Sequence, residues 1–324
     1  MRSIKARTVA IAAALLGSLV SLAQGQAQTW PQRPVKFIVP LGAGSGADIG
    51  ARLLAERLPA RWGKPVVVEN RPGGDSLVAI QAFLSANDDH VLLFAPSGNF
   101  TVHPFQYEKL PYTPADLVPI ARVSNTIIAV GVPAADKLST VAEFVAAARA
   151  APGKFNAAAV PGFTEFVFDY FAKTAGLSIQ KVPYRDTVQA ATDLGEGRLQ
   201  IYMSSYAILR PQTEAGRIKL IVVNGRERVP SLPNVPTVME AGYPSLEYEG
   251  LVGLFGLKTT SKELNEKIAA DVVAATKDPT VSERLTATAQ VANPGGPGEF
   301  ALSVDRQRAS IAKIAQELGI KPTR

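Results

Sequence analysis

Gly42, Gly44 and Ala47 stand in the order G-x-G-x-x-A, between the apolar run "VKFIVP" (35–40) and the helical pattern "DIGARLLAERL" (48–58). Glycines let main-chain N–H groups approach an oxyanion with no Cβ in the way. The start of a helix adds a partial positive charge aimed at the same place. The chemistry predicted is anion binding, and two anions fit. One is the pyrophosphate of a dinucleotide, because the next strand ends in Glu69, 22 residues beyond Ala47, close to where a ribose-binding acid belongs. The other is the carboxylate of a small organic ligand. A third reading leaves the loop as a turn with no ligand. Asp48 fits an N-cap that accepts from the first helical turn, a role that suits it better than ligand contact.

Three observations weigh against the dinucleotide. Pro40 and Leu41 separate the strand from the first glycine, where a dinucleotide turn is usually tighter. Arg71 follows Glu69 closely enough to pair with it. The chain also opens with Arg2, Lys5 and Arg7, then "VAIAAALLGSLVSLA", then small residues around Ala23 and Ala27. That order predicts a cleavable signal peptide over 1–27, and so a compartment where free nicotinamide cofactor is not supplied. The apolar run is shorter than a spanning helix needs.

Other chemistries are bounded by composition. There is no cysteine, which excludes thiol catalysis, thiolate metal sites and disulfides. The two histidines, His90 and His103, cannot build a His-rich metal site, and neither sits near a nucleophile elbow. No metal, cofactor or catalytic residue is predicted. The formal net charge is +6, of which the first 27 residues carry three. With no dense Lys/Arg run and sparse aromatics, a nucleic-acid partner is not expected. A mild positive bias suits an anionic small ligand.

The elements that must position the loop alternate along the chain. Strands are predicted at 35–40, 65–70, 91–96, 127–133, 199–205 and 218–224, and helices at 48–58 and 164–176. The last third is helical, with Leu264, Ile268 and Val272 on one inward face and Ile311, Ile314 and Leu318 on another. Repeated strand–helix–strand units predict an α/β fold of parallel sheets with helices on both faces, in two domains at this length. Ligands of such sheets bind beyond the carboxyl ends of the strands. Those ends read "LGAGSGAD", "SGNFT", "AAAVPGF", "RDTVQA" and "SSYA", rich in small polar residues.

Five segments, "RPVKFIVPLGAGSGADIGARLLAERL", "GKPVVVENRPGG", "YEKLPYTPADLVPIARV", "VPYRDTVQAATDL" and "RVPSLPNVPTVMEAGYP", together resemble the Bug receptors. These are the extracytoplasmic solute-binding proteins of tripartite tricarboxylate transporters. The resemblance runs in order over nearly the whole mature chain. It implies a two-domain Venus-flytrap (type II) fold with two crossover segments as hinge. Domain 1 would take 28–125 and 251–324, and domain 2 would take 126–250. It implies a periplasmic monomer that holds a small organic carboxylate in the cleft, with membrane permease subunits as possible partners and no chemistry of its own. The ligand wall in domain 1 would be Leu41, Gly42, Ala43, Gly44, Ser45, Gly46, Ala47 and Asp48, flanked by Ser97 and Asn99. The facing wall would be Pro161, Gly162, Phe163, Thr164 and Glu165, with Asp186 and Thr187, and Ser204 at a strand end. An exported nucleotide-binding oxidoreductase and a sensor for a signalling partner are the alternatives.

The sequence departs from the family's pattern at informative positions. The loop's glycine pair becomes Gly44-Ser45 and the residues after it Gly46-Ala47. Glu165-Phe166 stands where the family has His-Leu, and Asp186 where it has glycine. Two added carboxylates would repel a polycarboxylate, which predicts a monocarboxylate ligand or one carrying an amine or other donor. Arg71 and Arg185 are candidate carboxylate partners, though a structural salt bridge is the commoner role. Phe163 and Phe100 are candidate apolar walls against a commoner role in the core.

Overall fold

The computed structural model describes residues 30–160, 162–184 and 186–322. The predicted signal peptide lies outside these residues, as do Pro161 and Arg185. Eleven strands are present: β1 (Val35–Val39), β2 (Val66–Asn70), β3 (Val91–Pro96), β4 (Leu117–Thr126), β5 (Ile128–Pro133), β6 (Phe155–Ala159), β7 (Ile179–Pro183), β8 (Tyr202–Ser205), β9 (Ile218–Val223), β10 (Gly250–Leu257) and β11 (Gln290–Gly295).

They form two lobes. The first is a six-stranded sheet in the order β11-β4-β10-β3-β1-β2. The second combines the sheet β8-β5-β9 with the pair β6-β7, linked by a bridge between Ala157 and Ile201. The apolar runs of the sequence alternate into two cores, as strand geometry demands. On β1, Val35, Phe37 and Val39 enter one core while Ile38 enters the other. On β3, Leu92 and Phe94 part from Leu93 and Ala95 in the same way. Both faces of the sheet are therefore covered by helices, which is why these strands read as nearly continuous apolar runs, broken only by Lys36.

The sheets are mixed rather than wholly parallel. β1 pairs in parallel with β2 and β3, and β6 with β7. β10 is antiparallel to both β3 and β4, and β5 is antiparallel to β8 and β9. The reason lies in the connections. β4 runs out of the first lobe and becomes β5 across the single residue Ile127. The chain returns as β10 after Val223, so β10 must run opposite to the strand that left. These two passages, at 126–128 and 224–250, are the crossovers.

The helices start where local chemistry allows. Thr140 and Glu143 form a reciprocal capping box ahead of the helix Val141–Ala150. Ser261 caps Lys262–Thr276, whose Ile268 and Val272 are buried and whose Leu264 packs against them. The C-terminal helix Pro297–Leu318 serves both lobes. Its Phe300 and Val304 sit in the core of the first, and its Ile311, Ile314 and Ala315 in the core of the second.

Candidate ligand-binding site

The glycine loop follows β1 at the end of the first sheet that faces the second lobe. Ser45 N–H donates to the Gly42 carbonyl at 3.2 Å, closing a turn that holds Gly44 at φ 82°, where glycine is unstrained. The helix begins at Gly46, two residues earlier than the sequence pattern predicts. Its N-cap is Ser45, in extended conformation, whose hydroxyl accepts from Asp48 N–H at 3.3 Å. Asp48 is therefore the third helical residue and not the cap. Its carboxylate reaches backward, accepting from Gly44 N–H at 2.8 Å, from Asn70 Nδ2 at 2.8 Å and from Arg52 Nε at 3.0 Å. Burial alone would raise the Asp48 carboxyl, but the bonds from Arg52, Gly44 and Asn70 outweigh it and hold the group below its ordinary value.

This arrangement sorts the loop's amides. Gly44 N–H belongs to Asp48. The amides of Gly46 and Ala47, the first two of the helix, have no carbonyl one turn back to accept them. Gly42, Ala43 and Gly44 are exposed, Leu41 and Ser45 half-buried, and Ala47 buried. Asn70 also donates to the Leu41 carbonyl at 2.9 Å, so the end of β2 fixes both edges of the loop. From the far edge of the sheet, Gln290 donates to the Gly46 carbonyl at 2.8 Å and accepts from Ser124 Oγ at 2.7 Å.

After β3, Ser97 is fully buried, and its hydroxyl donates to Gln307 Oε1 at 2.6 Å. Thr101 donates to the same oxygen at 3.2 Å, while Gln307 Nε2 donates to the Tyr248 hydroxyl and to the Glu249 carbonyl, each at 2.9 Å. Ser97 thus belongs to a buried network joining the first lobe, the second crossover and the C-terminal helix. Asn99 is half-buried and donates to Ser76 Oγ at 2.7 Å.

On the second lobe, Gly162 is buried at φ 137° and hands the chain to the helix Phe163–Thr174. Phe163, Thr164 and Glu165 form its first turn and are half-buried. The Glu165 carboxylate pairs with Lys181 Nζ at 2.8 Å, and the same ammonium pairs with Asp169 at 2.8 Å. Burial pushes the Asp169 carboxyl up despite Lys181. Asp186 caps the helix Thr187–Gly195, accepting from Val188 N–H at 2.8 Å and Gln189 N–H at 3.3 Å. Both added carboxylates therefore carry partners, and the repulsion expected of two bare charges is weakened. Ser204 is buried on β8, opposite Ala129.

Other candidates take structural positions. Lys36 and Arg71 both pair with Glu69 and hold its carboxyl below the ordinary value, which occupies the acid a dinucleotide ribose would need. Phe100 is core, packed edge-on against Phe255 at 4.9 Å. His90 accepts from Gln32 N–H at 3.1 Å. His103 is fully buried between the Tyr112 hydroxyl at 2.7 Å and the Asp75 carbonyl at 2.8 Å. The residues that sequence reasoning missed are Gln290, Asn70, Gln307 and Tyr248. Only the spacing Ser45-Gly46-Ala47-Asp48, an S-x-x-D signature of a helix start, could have corrected the cap.

Two α/β lobes joined by two crossovers are the architecture of a solute-binding receptor of the type II Venus-flytrap class. A family model described as the tripartite tricarboxylate transporter family receptor matches residues 50–302, and the chain belongs to that family. It is similar to a UPF0065 protein of Bordetella bronchiseptica, with 30% identity over 98% of this chain and 94% of that one. Among solved structures it resembles the periplasmic binding protein BugD, with TM-score 0.76, 25% identity, and coverage of 91% of this chain and all of that one. It also resembles Rpa4515 of R. palustris, solved with adipate, with TM-score 0.78, 25% identity and the same coverage.

Proposed function

We propose that this chain is a periplasmic receptor that captures a small organic carboxylate between its lobes and presents it, untransformed, to membrane permease subunits. The observation that carries this reading is the pair of amides at Gly46 and Ala47. They start a helix, lack internal acceptors, and stand beside an Asp48 whose negative charge is already satisfied. The adipate-bound relative supports the carboxylate class. The moving bodies are 28–125 with 251–324, and 126–250, each rotating as a unit about the crossovers. The receptor acts as a monomer.

The test is the variant Gly46→Pro. Proline suits the first helical position and removes an N–H that is unpaired within the helix, and its Cβ would meet the Gln290 amide at 3.4 Å, an ordinary contact. Ser45, at φ −68° and ψ 158°, already has the conformation a residue before proline prefers. A thermal-shift screen of organic acids on the wild type identifies a binder, which at 100 times its Kd adds about 2.7 kcal/mol of stability. Gly46→Pro then lowers that acid's affinity about tenfold or more, the loss of one hydrogen bond to a charged group. NAD gives no shift. A shift with NAD and none with any acid would overturn the reading.

A further inference from the structure

Phe163 and Tyr248 form a parallel stack, with ring centroids 3.9 Å apart and 15° between planes. The stack joins the first helical residue of the second lobe's wall to the second crossover. Its back is held rigidly. Tyr248 is 7% exposed, and its hydroxyl accepts from Gln307, whose four hydrogen bonds are all to buried or main-chain groups. Its edge rests on bare backbone. A Cβ at Gly98 would lie 2.2 Å from the Tyr248 hydroxyl and 2.6 Å from Phe163 Cδ1, so the rings are seated where only glycine leaves room.

Gly98 follows β3, and β3 is the sheet neighbour of β1, whose loop carries the amides of Gly46 and Ala47. The stack is thus seated on the loop that follows the strand next to β1, on the same edge of the sheet as those amides. Phe163 is only half-buried, so part of its ring stays open. The cations that the described residues bring to the two walls already hold carboxylates. Among the described residues, Arg52 is paired with Asp48, Lys36 and Arg71 with Glu69, and Lys181 with Glu165 and Asp169. A second ligand carboxylate would have to compete with those acids for a cation while losing its water, whereas a planar ring would gain offset stacking on Phe163.

Building on the carboxylate reading, we infer that this receptor selects monocarboxylates with a flat, apolar body. The headgroup lies on the Gly46 and Ala47 amides, and the body lies against Phe163 with Tyr248 as its backing. Selectivity is thus set by an aromatic pair contributed by the facing lobe and the crossover, not by the glycine loop.

Calorimetry on the mature chain with benzoate, butyrate and adipate as probes tests this. Benzoate is expected to bind about tenfold or more tighter than either of the others. Phe163→Ala should lower the benzoate-to-butyrate affinity ratio about tenfold. If that variant loses its fold, Phe163→Leu, which keeps bulk but no ring, should lower the ratio about threefold. Adipate or butyrate binding as tightly as benzoate overturns the inference and leaves the carboxylate reading standing. An unchanged ratio in a folded Phe163 variant overturns it equally. Wild type that binds none of the three acids removes both.

Discussion

The side-chain amide of Gln290 donates to the main-chain oxygen of Gly46 at 2.8 Å, across 244 residues of chain. The contact pins the first helical residue of the glycine loop to the outermost strand of the sheet. Its oxygen accepts from buried Ser124, so Gln290 cannot turn away without stranding that hydroxyl. Gln290→Leu fills the same space but strands the buried Ser124 hydroxyl and takes from the Gly46 carbonyl the contact it makes beyond its helical bond. Each buried polar group left unpaired costs about 1–3 kcal/mol. The expected result is a lower urea midpoint with an unchanged slope, together with weaker carboxylate binding. Full retention of both would show that the loop holds its shape without this contact.

Asp48 makes stability depend on pH in a stated direction. Its folded-state pKa lies below the ordinary 3.8, so its contribution is complete above the unfolded value and is lost as pH falls through the folded one. Asp48→Asn keeps the shape but removes the charge facing Arg52. The wild type should exceed the variant by about 2 kcal/mol at pH 7, from hydrogen bonds to a charged group. The gap should close as acid protonates the carboxyl. Urea titrations of both proteins from pH 7 to about pH 3 read this directly, and a gap that widens on acidification would contradict the assignment.

Gln307 predicts a coupled loss at the crossover. Gln307→Leu leaves the Ser97 and Tyr248 hydroxyls and the Glu249 carbonyl without their shared partner in a buried setting, while Thr101 keeps its bond to the Gly98 carbonyl at 2.9 Å. Destabilisation of about 3 kcal/mol is expected, larger than that from Ser97→Ala, which removes one donor only. Gly98→Ala should approach the same state from the other side, because its Cβ displaces the Tyr248 hydroxyl, at about 1–3 kcal/mol for overpacking. Combining Gly98→Ala with Gln307→Leu should then cost less than the sum of the two. Additive losses in a double-mutant cycle would mean that the two positions act separately.

Much of the architecture was legible from periodicity. The runs at 35–39 and 91–96 are strands because all their residues except Lys36 and Pro96 find a core on one face or the other. The stripe Ile311, Ile314 and Leu318 is a helix face for the same reason. The turn and helix start at the glycine loop were legible because their geometry is local. The mixed strand directions were not, since nothing in a strand's own residues states which way its neighbour runs. The cap at Ser45 was hidden by the more conspicuous Asp48, although both lie in one four-residue signature. Gln290, Gln307 and Tyr248 were out of reach for a different reason. A glutamine or tyrosine looks alike in solvent and in a buried network, and the partners that distinguish the two lie 244, 210 and 59 residues away.

The C-terminal helix is rooted in both cores, through Phe300 and Val304 at one end and Ile311 and Ile314 at the other. Such a member bends or swivels but does not detach, so it behaves as a leaf spring laid across a pair of jaws. A small change in a methyl group along that one segment is therefore felt in both lobes at once, far from the glycine loop.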